Sequence, residues 1–310
     1  MKDKKLLFLI ALFIFSIVAC SSRKPVEIKH TPVTKKMQRQ GVRRIVIDAG
    51  HGGTDYGAGG KYSYEKDISL SVALMLEAEI KKQIPTVEVY MTRTTDVFDD
   101  PRLKADKANA AKGDLFISIH CNSSNGIRHR ELDGYRTVKY KSKGKTRTKK
   151  VARYKYYTTP SPAKGTETYI WGIDKNDDKL QALIDNENVY SDSTMLMDKQ
   201  SLEDPEQIAS ISLRMQQYAD RSRNLAYSVQ NEFTNIGRVN RDAKQRAKGI
   251  WVLQAVAMPA VLIELGFISN PEEEDYLNSV QGQKELAESI ARAVKQYKLN
   301  IEARMNHNNR

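Results

Sequence analysis

Cysteine is almost absent from this chain of 310 residues, which has only Cys20 and Cys121. If Cys20 is consumed by processing, no intramolecular disulfide can form. The fold is then held by its core, and roughly 270 residues of one chain suffice to build one. Histidine is scarce too, limited to His30, His51, His120, His129 and His307, so metal chemistry must draw on a short set of imidazoles. The glycine-rich run GHGGTDYGAGG matches neither GxGxxG nor GxxxxGKS/T, which removes the usual phosphate-cradling loops. No internal repeat occurs, so a single domain is the economical reading. The apolar run from Leu6 to Val18 is too short to span a bilayer comfortably.

What is present at the start is a charged segment, Lys2, Lys4 and Lys5, followed by that apolar run, which together fit a secretory signal. It ends Ile17-Val18-Ala19-Cys20, which resembles the lipobox of bacterial lipoproteins, where the signal is cut before a cysteine that then carries lipid. More than one acyl chain would hold the product stably at a membrane surface. An ordinary signal peptide or weak anchor with a chance cysteine is the alternative. The expectation is a signal over residues 1–20, lipid on Cys20, and a polar tether over 21–40 containing Pro25 and Pro32. The product would be exported and lipid-anchored to a bacterial membrane, facing the periplasm or cell wall.

Fifty basic residues against 38 acidic ones give a formal net charge of +12. In a cytoplasmic protein that excess would raise nucleic acid as a partner. An exported protein meets membrane lipids and acidic wall polymers instead, and no nucleic acid is expected. Much of the excess falls in a basic insertion over 128–164, around YKSKGKTRTKK, which reads as a solvated loop or hairpin arm.

From Arg43 onward, short β-branched runs alternate with longer amphipathic segments. This predicts an α/β fold of three layers, a mostly parallel twisted sheet of about six strands with helices on both faces. Strands are expected at Arg44–Asp48, Val87–Thr92, Asp114–His120, Thr166–Gly172, Ile250–Leu253 and Ala260–Glu264. Ile68, Val72, Leu76 and Ile80 recur at helical spacing after Glu65. Pro101 and Gly113 bracket a second helix. Two further helices are expected over about Gln207–Phe233 and Gln283–Tyr297. The domain would cover 41–299, with a polar tail over 300–310. The stretch 174–205 breaks the α/β rhythm, as functional lids or disordered linkers do.

Four segments end an apolar run on a polar residue: VIDAGHGG, YEKDISLSVAL, LFISIHCNSS and VLIELGFISNP. They offer His51, Glu65, His120 and Glu264. In parallel sheets, ligands bind beyond the carboxyl ends of the strands, where His51, His120 and Glu264 fall. Glu65 lies at a helix start, where the helix dipole favours a carboxylate. Two imidazoles and a carboxylate leave a zinc ion one open position, the arrangement of hydrolytic zinc. Glu264, on an apolar strand, suits the separate base that takes the proton from a zinc-bound water. Burial should raise its pKa. Cys121, next to His120, is expected to face away from the metal because strand side chains alternate.

The same segments resemble the zinc-dependent N-acetylmuramoyl-L-alanine amidase family, the amidase type 3 catalytic domain, from about Arg43 to Lys298. The resemblance implies that His51, Glu65 and His120 hold one zinc per chain and that Glu264 is catalytic. The substrate it implies is peptidoglycan, cut between N-acetylmuramic acid and L-alanine during wall remodelling or daughter-cell separation. A monomer is expected. Thr92-Arg93-Thr94-Thr95-Asp96 and PAVLIELGFISNPEE also match. Ala49, Lys104 and Arg241-Asp242-Ala243-Lys244 depart from the family pattern, the last where a glycine more often follows the arginine. Some members carry an inserted helix that blocks the site until an activator protein displaces it. The stretch 174–205 lies in the corresponding region, with Glu187, or Asp185 beside it, as the candidate autoinhibitory residue; surface decoration is the alternative. A wall-binding lipoprotein or scaffold without turnover is the competing reading.

Overall fold

The computed structural model describes residues 41–172, 179–184, 205–245 and 250–308. Within them the chain runs β1 (Arg44–Ala49), α1 (Glu65–Gln83), β2 (Glu88–Met91), α2 (Pro101–Ala110) and β3 (Leu115–Asn122). A hairpin, β4 (Ile127–Ser142) and β5 (Lys145–Thr159), precedes β6 (Thr166–Ile170) and the long helix α3 (Pro205–Asn235). Then come β7 (Asn240–Gln245), α4 (Trp251–Ala255), β8 (Ala260–Phe267), α5 (Pro271–Asn278) and α6 (Val280–Asn308).

Six strands form one sheet in the order β2-β1-β3-β8-β6-β7. Every pairing is parallel except that of β6 with β8. The central strands are continuous apolar runs because helices cover both faces, as in α/β folds generally. On one face, Ile47, Ile117 and Ile263 pack against Leu76 of α1, Val229 of α3 and Ile290 of α6. On the other, Val46, Phe116 and Leu262 meet Ala105 and Ala108 of α2 and Val252 of α4.

Local signals set the helix limits. Ile68, Val72, Leu76 and Ile80 form one fully buried stripe on α1, each contributing about 2 kcal/mol by leaving water. Glu65 and Asp67 in its first turn and Lys81 and Lys82 in its last complement the helix dipole. Asp100 caps α2 by accepting from the Arg102 N–H at 2.7 Å, with Pro101 at the first position.

Three expectations change. The run at Ile250–Leu253 is not a strand: Trp251–Ala255 is a helical turn, closed by Leu253 N–H to the Ile250 carbonyl at 3.1 Å. An apolar run this short fits a buried helix as well as a strand, and periodicity does not separate them. The sixth strand is β7, in the segment Arg241–Lys244 that departs from the family pattern. There Asp242 adopts φ 82, the left-handed conformation for which glycine is the usual residue and which aspartate tolerates. Helix α6 runs on to Asn308, so most of the expected polar tail is helical.

The basic insertion is a hairpin rather than a loop. Lys143 (φ 49) and Gly144 (φ 74) form a two-residue turn with both central residues left-handed, the geometry that matches strand twist. Of the stretch 174–205, a short helix over 179–184 is described. Its Lys179 is fully buried, donating to the Leu253 carbonyl of α4 and to the Val256 and Met258 carbonyls just beyond it, and burial pushes its ammonium down to about 7. Glu187 and Asp185 lie outside the described residues, as do residues 1–40 with Cys20. Among the described residues no helix is long and apolar enough to cross a membrane.

Candidate metal centre

Side-chain alternation decides which residues share the site. Val46, Phe116 and Leu262 point to the α2 and α4 side of the sheet, so Asp48, Ser118, His120 and Glu264 follow two residues on, or four, along the same side. The sheet pairs His120 with Glu264 across β3 and β8. Glu264 is 6% exposed and lines an open cleft of about 430 Å³ together with His51, Glu65, His120 and Trp251. A register shift follows immediately after the His120–Glu264 pair, a local irregularity of the kind that re-aims strand-end side chains at sites. Cys121 points the other way, into the opposite core, where burial pushes its thiol well up.

His51, Glu65 and His120 each present a ligand-type atom, and these atoms lie within 4.8 Å of one another. His51 Nδ1 lies 2.8 Å from Asp55 Oδ2, and its Nε2 lies 3.1 Å from Glu65 Oε2. The other Glu65 oxygen is 2.8 Å from His120 Nδ1 and accepts from the Cys121 N–H at 3.0 Å. Burial works against a charged His51, but the Glu65 and Asp55 carboxylates outweigh it and lift the imidazole to about 9. Burial also opposes ionised Glu65, yet the two imidazoles hold it far below the usual carboxylate range.

The donor set fits a zinc ion. Two nitrogens and a carboxylate converge from three elements, and Asp55 orients His51 from outside as second-layer carboxylates do. Two glycines make the room. A Cβ on Gly50 would lie 2.5 Å from His120 Cε1, and one on Gly57 would lie 2.6 Å from Glu65 Oε2 and His51 Cδ2.

A second layer fixes these residues. Arg93 is buried, its guanidinium donating to the carbonyls of Ala49 (3.0 Å), Gly50 (2.7 Å), Lys66 (2.9 Å) and Thr95 (3.1 Å). It thus ties the His51 loop to the first turn of α1. Asp96 completes the tie, accepting from the Gly53 N–H and the Lys66 ammonium, both at 2.7 Å. Lys104 donates to the Ala49 carbonyl at 2.6 Å and pairs with buried Asp48 at 3.0 Å. Burial would raise the Asp48 carboxyl, but Lys104 and the Thr92 and Ser118 hydroxyls pull it below its ordinary value. A lysine suffices here because the carbonyl and the carboxylate accept from one point charge rather than from a fork.

Sequence reasoning missed Glu167. It is buried opposite Glu264 in the β6–β8 pairing and accepts from Asn122 (2.8 Å), Tyr169 (2.5 Å), Arg241 (2.8 Å) and Lys244 (3.0 Å). Its local signal is weaker than that of Glu264, a lone acid in the β-branched run Thr166-Glu167-Thr168 rather than in a continuous apolar one. His129 stands apart on the hairpin, stacked on Tyr157 at 5.0 Å.

Residues 45–296 match the family model described as N-acetylmuramoyl-L-alanine amidase. The chain belongs to this amidase family. AmiC of Escherichia coli O6:H1, an N-acetylmuramoyl-L-alanine amidase, is 33% identical over 82% of this chain and 52% of its own length. The chain thus spans about half the length of that curated relative. The N-acetylmuramoyl-L-alanine amidase of Clostridium difficile 630 superposes with a TM-score of 0.53 at 25% identity, covering 83% of this chain and 97% of that one. The catalytic domain of CwlV from Bacillus (Paenibacillus) polymyxa var. colistinus gives 0.50 at 25%, over 84% and 99%.

Proposed function

We propose that this chain hydrolyses the amide bond joining N-acetylmuramic acid to L-alanine in peptidoglycan, using one zinc ion held by His51, Glu65 and His120. The observation that carries the reading is the convergence of those three residues within 4.8 Å, with Glu264 paired to His120 on the next strand, in a chain of this family. When bound, zinc supplies an acidified water and polarises the substrate carbonyl. The Glu264 carboxylate takes a proton from the attacking water and hands it to the departing alanine nitrogen. Asp55 keeps His51 oriented, and the Arg93 and Lys104 bonds keep the loop carbonyls from relaxing into the cleft.

The chain acts as an exported lipoprotein, anchored through Cys20, on wall remodelling or daughter-cell separation. Held in a resting state by Glu187, it would respond to an activator. Deleting residues 185–204 and assaying wall hydrolysis tests that regulation: unchanged or lower activity in a folded, zinc-loaded variant removes it.

Mass analysis of products from purified peptidoglycan tests the activity itself. Intact stem peptides with a free L-alanine amino terminus are expected from the wild type. Glu264→Gln should keep zinc and lose about 10²–10⁴-fold in turnover, the range for a positioned general base. Cleavage between sugars or within the stem, or full turnover by Glu264→Gln, would refute the assignment.

A further inference from the structure

Among the described residues, no core cluster includes a side chain of the β4–β5 hairpin. This arm forms a separate two-stranded sheet, about 50 Å long at the usual rise for its 16-residue strand. Between Ile127 and Thr159 it carries twelve lysines and arginines against two acids, Glu131 and Asp133, so nearly all of the chain's +12 sits there. Ribbons of two strands are marginal on their own in water. So much like charge on one works further against it, and an anionic partner would relieve that repulsion.

The register divides the arm into unlike faces. A bulge between Leu132 and Tyr135, with Gly134 at φ 86, adds one residue to β4 and keeps the alternation of β5 intact. One face therefore collects Arg128, Arg130, Lys139, Lys141 and Lys150, all exposed, and holds no carboxylate. Glu131 pairs with Lys155 on the opposite face, and Asp133 is taken by Arg153 at 3.0 Å. Among the five cations stand Tyr135, Tyr154 and Tyr156, exposed by 66%, 39% and 53%. The Arg130 guanidinium lies 3.5 Å from the Tyr154 ring centre and Arg128 lies 4.9 Å from that of Tyr156. These two arginines are thus pre-positioned over rings.

The arm is rooted at the cleft. Asn122 and Ser123, which line the cleft, lead directly into β4, and the Ser124 N–H is fixed to Ser269 Oγ at 2.9 Å. The returning chain is held by Asn270, whose Nδ2 donates to the Ala163 carbonyl at 3.1 Å.

We propose that this acid-free face grips the polymer that the cleft cuts: cations bind free carboxylates of neighbouring stem peptides while tyrosine rings stack on the sugars. The inference rests on the function proposed above. It adds that the arm sets affinity for the polymer and leaves the chemical step untouched. Charge complementarity and the shared root favour one polymer spanning both over a lipid surface, which would want apolar side chains on the binding face; there only Leu132 is large, aliphatic and exposed.

The test uses the full zinc-loaded chain, K139Q/K141Q/K150Q, the matching triple Lys→Arg variant, and Tyr135→Ser. Binding is read by co-sedimentation with purified peptidoglycan sacculi at rising salt, and turnover on sacculi and on a soluble single-disaccharide muropeptide. The Gln triple should raise Kd and KM on sacculi roughly tenfold, the sum of three modest exposed ion pairs. It should flatten the salt dependence and leave kcat/KM on the muropeptide unchanged. The Arg triple should behave as wild type, and Tyr135→Ser should weaken sacculus binding with the salt dependence intact. Unchanged sacculus binding by the Gln triple would overturn the proposal. So would equal losses on both substrates, or lost binding to anionic phosphatidylglycerol vesicles with sacculus binding kept. If the wild type cuts neither substrate, the amidase reading fails, while co-sedimentation still reports on the arm.

Discussion

Replacing Gly50 with alanine isolates the steric basis of the candidate metal centre. Gly50 closes the β1–β3 ladder, its N–H donating to the Ile119 carbonyl at 2.9 Å. An added Cβ would lie 2.5, 2.6 and 2.7 Å from His120 Cε1, Nε2 and Nδ1. Carbon contacts are comfortable from about 3.5 Å, so the imidazole or β1 must yield by about 1 Å. The ring has little freedom, since Nδ1 is already engaged by Glu65 at 2.8 Å. Overpacking of this kind costs about 1–3 kcal/mol of stability, and disturbing how a ligand is held costs about 10–100-fold in metal affinity. Gly50→Ala should therefore raise the zinc Kd about 10–100-fold, or about 1.4–2.7 kcal/mol of binding free energy, measured by competition with a chromogenic chelator. Urea unfolding with chelator present should show the overpacking cost of about 1–3 kcal/mol in the metal-free fold. Gly59→Ala is the control within the same loop, because its Cβ would meet only Tyr64 ring carbons at 3.8 Å. Wild-type zinc affinity in Gly50→Ala, or an equal loss in Gly59→Ala, would refute the reasoning.

Arg93→Met removes a guanidinium that four carbonyls share. With each unpaired buried acceptor costing about 1–3 kcal/mol, a loss of about 4 kcal/mol in chemical denaturation is expected, and less than about 1 kcal/mol would show that the tie is dispensable. Glu274 is buried and accepts from the N–H groups of Lys61 (2.7 Å), Tyr62 (2.8 Å) and Ser63 (2.9 Å) and from the Ser63 hydroxyl (2.8 Å). Burial would raise its carboxyl, but those donors outweigh it and hold the group below its ordinary 4.5. The unfolded chain then binds the proton more tightly, so the stabilisation is complete above pH 4.5 and fades as pH falls through the lower folded value. Unfolding midpoints of wild type and Glu274→Gln should differ at neutral pH and converge in acid; a gap that widens in acid would reverse the sign. Asp242→Val places a β-branched residue at φ 82 and should cost about 1–2 kcal/mol in thermal unfolding, whereas Asp242→Gly should be tolerated; equal effects would remove backbone strain as the cause.

Much of the site was legible because its parts sit at places the chain marks locally. His120 and Glu264 each follow an apolar run within their strands, His51 follows a strand, and Glu65 opens a helix whose stripe is plain from Ile68 to Ile80. The parallel order of β1, β3 and β8 then brings their carboxyl ends together. Glu167 was not legible as a hub, because its four donors come from three separate segments. Nor was the work of Arg93, whose acceptors are backbone carbonyls that any sequence carries. The segment at Ile250 went astray for a local reason, since four apolar residues do not choose between helix and strand.

The sequence by itself determined the α/β rhythm, the four polar residues that the fold gathers at one cleft and the excess charge between Arg128 and Lys164. Each of these is written in periodicity, residue type or composition within a short window. Only the tertiary structure decided that the charge lies along a two-stranded arm with one acid-free face, that Asp242 bends a sixth strand onto the sheet, and that Gly50 and Gly57 leave the space His120 and Glu65 need. Those outcomes depend on register and on contacts between residues distant in the chain, where a single bulge or a missing Cβ settles which groups meet.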